Sequence, residues 1–536
     1  MTLDTAIAQA PTHVNGSNAL PDAVGANPDP TAVSTYYSAL QAAATAAVGS
    51  MIHGTITPIE AGGQGDFAYN YMNPSLAFNL WTFNYISALV QAGDYAGTAK
   101  LLSGASFPSG FLQLVNQIAF QFDAADQQAL TNAQNAAQTQ QLNVNQTYIG
   151  LYGQPTQAQL TQAATVLGYT PTLFDYVVGY MLGSVWAGAK NPPLSWTKMQ
   201  TAPNLTDLLP NLPPSGSPVV AAVTAYLNAL GPATSLQDQL NYGLWVLNQI
   251  KQALRYPALT TNAMQTIDPV SGTNSIVSTY YIPKSMQQIQ NDLASASQIS
   301  MTMDVQQQNS SQYNVSISGE ASFSFGGPVV TFSGSTGSKY NMESVQGAGS
   351  TIDIALAYTG YSIVPIAPQP LTTDSGGGTT GWYFPTVLQE AYQNWLAGAK
   401  ASTGFRFTNT PAFDLAQFPS GAFNLLTNVL ISSYPTITIN YSAGDYSLFS
   451  QEFSAHASGS VKLFGFIPIG NASMSTYSSQ LVAGSSNSQF SVTFTPPSTA
   501  SVPLLQQTAY MIGAVVDSPA QQQISIVEAL LAAAGI

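Results

Sequence analysis

Residues 299–305 read ISMTMDV, and residues 313–325 read YNVSISGEASFSF. In both stretches the odd positions are mostly apolar, whereas the even positions are Ser, Thr, Asn or acidic. Because successive side chains of a strand point to opposite faces, this period of two predicts β-strands with one buried and one polar face.

A similar pattern returns later in the chain at a constant offset. The Ser-Gly dipeptide at 318–319 recurs at 458–459, and Pro328 recurs as Pro468. The apolar alternation around these turns recurs as well. We therefore predict two similar four-strand antiparallel units, at about 296–360 and 434–496. The alternative is a chance likeness between Ser/Gly-rich hairpins of one large sheet.

The first half of the chain has apolar residues at spacings of three and four, which predicts helices. Helices are predicted over 111–149, and over 157–167 with Thr156 as the N-cap. The sequence thus predicts an α+β protein, with an all-helical N-terminal domain followed by a β-rich domain. The predicted parts are an arm at 1–30, an α-helical domain at 31–295 and a β-rich domain at 296–536, with a helical insert at 383–432 and a C-terminal helix at 522–535.

Charged residues are scarce in this chain. They make up 6% of it, against roughly 25% in ordinary soluble proteins. The ten Lys and Arg form no run, and the formal net charge is −14, so a nucleic-acid partner is excluded on electrostatic grounds. With so few titrating groups, stability is expected to change little between about pH 7 and 3 unless one or two carboxylates are buried and paired. This tolerance suits an extracellular or cell-surface location, although residues 1–6 show no signal-peptide features.

Motifs for catalysis and metal binding are missing. The chain has no Cys, and its three His are far apart in sequence: His13, His53 and His456. The Gly-rich run 376–381 matches GxGxxG, but no βαβ pattern surrounds it, so a loop is predicted. We expect no cofactor and no metal. One enzyme class stays open, a carboxylate-based hydrolase, which has no local signature and could use Asp66, Asp123, Asp126, Asp175, Glu320, Glu390 or Asp414.

Two aromatic groups could stack on sugar rings. They are Trp382-Tyr383-Phe384 and the face formed by Tyr176 and Tyr180. Aromatic clusters are more often core or interface, and that reading is favoured here.

The hairpins predicted at 311–338 and 446–478 are the most informative feature. Their strands alternate apolar and Ser/Thr-rich positions, as strands in a membrane barrel do, and a spanning strand needs about 9–11 residues. Apolar residues near the predicted turns would enter the bilayer first. These candidate membrane-contacting tips are Phe323, Phe325, Phe464, Phe466 and Ile467. A β-sandwich with one buried face would produce the same alternation.

These observations predict a non-enzymatic secreted protein that damages membranes or forms pores through its hairpins. The expected partners are a membrane or cell-surface target and further copies of the same chain. A self-assembling surface or structural protein is the main alternative, and a glycan-binding or glycan-active protein is a third.

Overall fold

The computed structural model describes most of the chain. The described residues are 29–52, 54–60, 67–68, 79–181, 217–295, 297–309, 312–319, 321–326, 329–333, 339–341, 351–373, 378–447, 449–451, 460–464, 467–468, 478–484, 488–496 and 508–521. The predicted C-terminal helix at 522–535 and nearly all of the predicted arm at 1–30 lie outside these residues.

The α+β class is confirmed by helices together with several antiparallel sheets. The α-helices are α1 (Pro30–Val48), α2 (Leu80–Ile86), α3 (Phe107–Asn116), α4 (Ala124–Tyr152), α5 (Gln157–Leu167), α6 (Ser217–Arg255), α7 (Met286–Leu293) and α8 (Pro385–Ala397). A π-helix covers Asp175–Met181, and a 3-10 turn covers Gly398–Lys400.

The chain divides into two compact units. Unit 1 contains Met1–Gln117, Gln249–Tyr392 and Asn409–Ile536, and unit 2 contains Ile118–Asn248 and Gln393–Thr408. This division differs from the predicted boundary at 295/296. The physical reason is strand pairing between distant parts of the chain, since the early strand Ile56–Pro58 pairs with the late strand Thr508–Asp517.

The largest sheet of unit 1 has seven antiparallel strands. They are β9 (Gln298–Asn309), β10 (Gln312–Ile317), β11 (Ala321–Gly326), β14 (Thr351–Thr359), β21 (Thr436–Tyr441), β24 (Ser478–Ala483) and β25 (Phe490–Thr495). Their order across the sheet is β11-β10-β9-β14-β21-β25-β24. The alternating stretch 299–305 lies in β9. It buries Ile299, Met301 and Met303 and exposes the side chains between them, as its period predicts.

Two further sheets complete unit 1. One has five strands: β1 (Ile56–Pro58), β2 (Phe67–Ala68), β15 (Tyr361–Pro365), β20 (Leu425–Ser432) and β26 (Thr508–Asp517). The other, called the small sheet below, contains β12 (Val330–Ser333), β13 (Lys339–Asn341), β22 (Ser460–Leu463) and β23 (Ile467–Pro468), in the order β13-β12-β22-β23.

The remaining strands form two-stranded pairs. These are β3 (Ala88–Ala92) with β4 (Ala99–Ser106), β6 (Ala263–Ile267) with β7 (Asn274–Ser278), β8 (Tyr280–Tyr281) with β16 (Ala367–Pro368), β17 (Thr372–Thr373) with β18 (Thr379–Thr380), and, in unit 2, β5 (Ile118–Gln121) with β19 (Gly404–Phe407). The strands before residue 296 correct the expectation that 31–295 is all-helical.

The core of unit 1 lies between α1, the apolar face of the seven-stranded sheet and part of the five-stranded sheet. Helix α1 contributes Tyr36 and Leu40 to this core, and their side chains are almost fully buried. The hydroxyl groups of Tyr36 and Tyr358 are 3.0 Å apart, which gives this contact a buried hydrogen bond. Each large apolar side chain buried here contributes about 1.5–3 kcal/mol.

The two segments proposed as repeats are alike in part. The first and last strands of each are neighbours, β9 with β14 and β21 with β25, and both pairs are antiparallel. The strands between them differ in order. In the first segment β10 and β11 extend the sheet beyond β9, whereas in the second segment β24 extends it beyond β25. The likeness therefore covers the two strand pairs. The strands between them connect differently, so the prediction of two similar four-strand units does not hold beyond those pairs.

Two helix predictions are corrected. The predicted helix 111–149 is broken, because the main chain of β5 (Ile118–Gln121) pairs with β19. In the predicted helical insert, α8 is present, but Leu425–Ser432 is a strand. That strand is buried on both faces, so its apolar residues run continuously, and such a run does not distinguish a strand from a helix.

Unit 2 is mainly helical. Its main apolar cluster joins α4, α5, the π-helix and the first part of α6 through side chains such as Val144, Val177 and Val223. The predicted helix at 157–167 is confirmed, with its N-cap at Thr156. The backbone N–H of Gln159 donates to Thr156 Oγ1 at 3.3 Å, and the backbone N–H of Thr156 donates to Gln159 Oε1 at 2.8 Å. This capping box satisfies two backbone donors at the start of α5.

Gly360 connects the seven-stranded sheet to the five-stranded sheet, and its φ of +68° favours glycine. A Cβ there would lie 1.9 Å from the carbonyl oxygen of Leu293. We expect Gly360→Ala to lower the free energy of unfolding clearly more than the control Gly319→Ala. Gly319 also has a positive φ, +77°, but an added Cβ there would meet no atom within 4 Å. The control should cost about 1–2 kcal/mol for the backbone strain alone. Denaturant unfolding of both variants measures the difference, and equal losses would contradict the packing argument.

Candidate functional site

The two segments that contain the predicted hairpins leave the same end of the seven-stranded sheet. Residues 310–350 connect β9 to β14, and residues 442–489 connect β21 to β25. At that end the four strands β9, β14, β21 and β25 lie side by side, because Val305 pairs with Ile352, Ile352 with Tyr441, and Tyr441 with Phe490. We call residues 310–350 and 442–489 the excursion segments.

The described strands of the excursion segments lie at the margins of the fold. Strands β10 and β11 form one edge of the seven-stranded sheet, and β24 forms the other edge. The small sheet is made wholly by the excursion segments. Its central pairing joins one segment to the other, since Val330 of β12 pairs with Leu463 of β22. The four strands that anchor the segments are thus central, and the segments themselves are peripheral.

The candidate tips are placed differently from the sequence-based expectation. Phe323 and Phe325 lie within strand β11, where they pair with Val315 and Tyr313 rather than forming a turn. The turn between β10 and β11 is at Ser318-Gly319 instead. Ser318 and Gly319 both have positive φ values there, which is the backbone conformation of a tight turn.

The second set of tips does form a turn, but a buried one. Phe464 follows β22 and is 1% exposed, and Ile467, in β23, is 3% exposed. Both belong to the main core of unit 1 together with Phe323, which is 5% exposed. The position predicted as a further tip, Phe466, lies outside the described residues.

Phe464 connects the two excursion segments. Its ring meets that of Phe323 edge to face, with centroids 5.8 Å apart and planes at 83°. Its backbone N–H donates to the carbonyl oxygen of Val329 at 2.8 Å. In this structure the apolar residues of the two segments therefore bury one another.

Several of the carboxylates considered for hydrolysis have structural partners. Asp123 accepts from the backbone N–H of Asp126 at 2.8 Å as the N-cap of α4, and this hydrogen bond is the main cause that lowers the pKa of Asp123. Asp175 accepts from the backbone N–H of Thr172, and Asp414 accepts from that of Ala416. Asp66 and Glu320 lie outside the described residues. Asp123 and Asp175 belong to unit 2, whereas Asp414 belongs to unit 1.

The other motifs noted in the sequence either have structural positions in the fold or lie outside the described residues. His13, His53 and His456 are not among the described residues. Gly381, the last residue of the Gly-rich run, follows the short hairpin of β17 and β18. Trp382 and Tyr383 are buried among Phe107, Phe111 and Phe423, so they offer no surface for stacking on a ligand. In the described part of the chain, no cluster of three or more His, Asp or Glu could hold a metal ion.

Tyr176 and Tyr180, by contrast, contribute to an open pocket of about 290 Å³ in unit 2. The pocket is lined by Tyr148, Tyr152, Gly153, Gln154, Pro155, Gln159, Gln162, Tyr176, Tyr180 and Met181. Tyr176 and Tyr180 were candidates from the sequence, whereas Tyr148 and Tyr152 were not. The signal was available, because Tyr148 and Tyr152 are four residues apart and so lie on one face of α4.

Asp517 is a buried carboxyl that the sequence analysis did not single out. It ends strand β26, is 7% exposed, and its Oδ1 has no hydrogen-bond partner in the described structure. Burial raises its pKa to about 6, although the backbone N–H of Ser518 donates to it and opposes the shift. Burial also raises the pKa of Tyr383 well above its usual range, with the Asp517 charge as a second cause.

One helix in the described part of the chain, Ser217–Arg255, is long and apolar enough to cross a membrane. Buried helices of soluble proteins can have the same length and apolar composition. Pro232 lies inside the helix, and Val219 and Val223 pack into the apolar cluster of unit 2.

Comparison of this chain with protein-family models, with curated proteins and with solved structures finds no match. The fold places the chain in the α+β class, with a seven-stranded antiparallel sheet as its largest sheet in the described residues.

The buried Asp517 predicts a specific dependence of stability on pH. Because its folded pKa of about 6 lies above the ordinary 3.8, folding favours the protonated carboxyl. The free energy of unfolding is therefore higher below about pH 4, and this extra stability is lost as the pH rises through 6. The difference between the two limits is roughly 3 kcal/mol. We expect the melting temperature to rise on acidification from pH 7 to 4.

Asp517→Asn should flatten this pH profile, because the amide carries no charge at either pH. The exposed Asp238 provides the matched control, and Asp238→Asn should leave the profile as it is. Thermal melts at pH 4, 5, 6 and 7 decide the matter. A wild-type protein that loses stability steadily on acidification over this range, or an Asp517→Asn variant with the wild-type profile, would show that another group controls the titration.

Proposed function

We propose that this chain is a non-enzymatic, membrane-inserting protein of the pore-forming class, whose excursion segments 310–350 and 442–489 refold into spanning β-hairpins. A single observation carries the proposal. Both segments start and finish at the same end of four adjacent antiparallel strands, so each could extend a strand pair as one hairpin without breaking the pairing at the sheet's centre.

The excursion segments have the length and composition for this role. Each has roughly 40 to 50 residues, and a hairpin that crosses the bilayer twice needs about 20 residues in its strands. Their charged residues are few: Glu320, Lys339, Glu343, Asp445, Glu452 and Lys462. Strands with one apolar and one Ser/Thr-rich face could present the first to lipid and the second to a water-filled lumen.

The contacts that such refolding would break are peripheral. Strands β11 and β24 pair on one side only, and the small sheet would separate along β12 and β22. Phe323, Phe464 and Ile467 would leave the core, which costs the free energy of their burial. Entry of the same side chains into lipid restores an apolar environment, so the cost is largely offset.

The proposal also implies a homo-oligomer. Spanning strands have to close into a barrel, because an open sheet edge leaves unpaired backbone groups in lipid. Two hairpins supply four strands per chain, whereas single-chain membrane barrels begin at about eight strands. More than one copy must therefore contribute. A membrane target and further copies of the chain are the partners, and an extracellular or cell-surface location fits them.

A second candidate is a self-assembling structural protein. The outermost strands of the seven-stranded sheet, Ala321–Gly326 and Ser478–Ala483, carry no charged side chain. Charges on edge strands are a common means of discouraging edge-to-edge pairing. Their lack favours pairing between copies, which would give an assembly that forms in solution.

A disulfide across the small sheet should block insertion. The chain has no Cys, so Thr331→Cys with Lys462→Cys creates one defined pair between β12 and β22. Residues opposite each other on antiparallel strands have Cα atoms about 4.5–5.5 Å apart, within the range for a disulfide. We expect the oxidised variant to release little dye from lipid vesicles, and reduction to restore release.

The matched control is Ala355→Cys with Thr438→Cys, which joins the central strands β14 and β21. Since these strands stay paired during insertion, oxidation of this variant should leave dye release unchanged. Equal release by the oxidised and reduced forms of the first variant would refute the proposed refolding. If the unmodified protein releases no dye across lipid compositions and pH, and forms filaments or shells by electron microscopy, the assembly candidate is favoured.

A further inference from the structure

The pocket of unit 2 lies outside the excursion segments and has a distinct chemistry. Four tyrosine rings form a continuous series along it. The centroid distances are 5.2 Å between Tyr152 and Tyr148, 5.9 Å between Tyr148 and Tyr176, and 5.5 Å between Tyr176 and Tyr180. The two middle rings are buried, whereas Tyr152 and Tyr180 at the ends are partly exposed. The end rings therefore offer aromatic surface to a ligand.

The positions of these rings depend on two irregular backbone features. Tyr176 and Tyr180 lie in the π-helix, a rare winding that is often found at functional sites. Gly153 ends α4 with a φ of +77°, which turns the chain directly into Gln154 and Pro155 at the pocket's rim. A Cβ at Gly153 would meet no atom within 4 Å, so the space beside it is open.

The polar groups of the lining are side-chain amides. Gln154 and Gln162 are exposed, and in the described structure their side chains make no hydrogen bond. The Oε1 of Gln159 accepts from Thr156 at the start of α5, so this side chain is held in place. Each amide offers two donor hydrogens and one acceptor oxygen, which is the combination that a hydroxyl group can satisfy in either direction.

Among the described residues, none that lines the pocket carries a charge. Burial, helped by a hydrogen bond to Tyr176, raises the pKa of Tyr148, so its phenol stays neutral at physiological pH. A charged ligand would therefore find no counter-charge here. Neutral amides beside aromatic rings suit a neutral molecule with an apolar face and many hydroxyl groups.

We infer that this pocket binds a neutral sugar ring, with the ring's apolar face on Tyr152 or Tyr180 and its hydroxyl groups on the glutamine amides. The volume lies at the lower end for ligand pockets, which restricts the ligand to one or two rings. Affinity for a single ring is expected on the order of millimolar, because so small a contact has to offset the loss of ligand freedom.

The test uses the full chain in solution without membranes, so its outcome is independent of pore formation. Glucose, galactose, mannose, N-acetylglucosamine and their disaccharides are titrated and followed by saturation-transfer NMR, with choline as a cationic probe. At least one neutral sugar should bind and choline should not. Gln162→Ala and Tyr180→Ala should each weaken binding about tenfold, which corresponds to roughly 1.4 kcal/mol.

Two further variants separate a binding role from a folding role. Tyr180→Phe keeps the ring and should retain most of the binding, and Tyr169→Ala alters a tyrosine of the same unit outside the pocket and should have no effect. Thermal melts confirm that each variant is folded. The inference is wrong if no sugar binds at about 100 mM, if choline binds in preference, or if the Gln162 and Tyr180 variants bind as the wild type does.

Discussion

The contact between α1 and the apolar face of the seven-stranded sheet is the interaction on which unit 1 depends. That face collects residues from β9, β14, β21 and β25, and α1 covers it with Tyr36 and Leu40. Because the four strands pair in a common register, a shift of one residue in any of them would move its apolar side chains from the core to the solvent-exposed face. The register therefore holds the first and last residues of both excursion segments at the same end of the sheet.

The excursion segments share their core with the rest of unit 1. Phe323, Phe464 and Ile467 are packed in the same apolar cluster as the central strands, so the segments contribute to the stability of unit 1. Under the proposed refolding, two demands would have to be balanced. The packing has to be good enough to prevent aggregation, yet the pairing has to be peripheral enough to open.

Scarcity of charge has different consequences in different places. On the excursion segments it removes the groups that are most costly to transfer into lipid. In the pocket of unit 2 the polar side chains among the described lining residues are amides and tyrosine hydroxyl groups. In the core, Asp517 is the one buried carboxyl among the residues that the structure describes, and burial raises its pKa to about 6. The sequence-based expectation of indifference to acid made an exception only for carboxylates that are buried and paired. Asp517 is buried, and its Oδ1 has no hydrogen-bond partner in the described structure, so it falls outside that exception.

The alternation of residues 299–305 was sufficient to predict a half-buried strand, and the Thr156 cap was sufficient to predict α5, because both signals are local. The sequence by itself also determined the α+β class and the scarcity of charge. Only the tertiary structure decided that Leu425–Ser432 is a strand, since a run buried on both faces has no period. It alone placed Phe323 against Phe464, joined Tyr148 and Tyr152 to Tyr176 and Tyr180, and buried Asp517. All of these features depend on contacts between residues that are distant in sequence, and no local pattern in the sequence records such contacts.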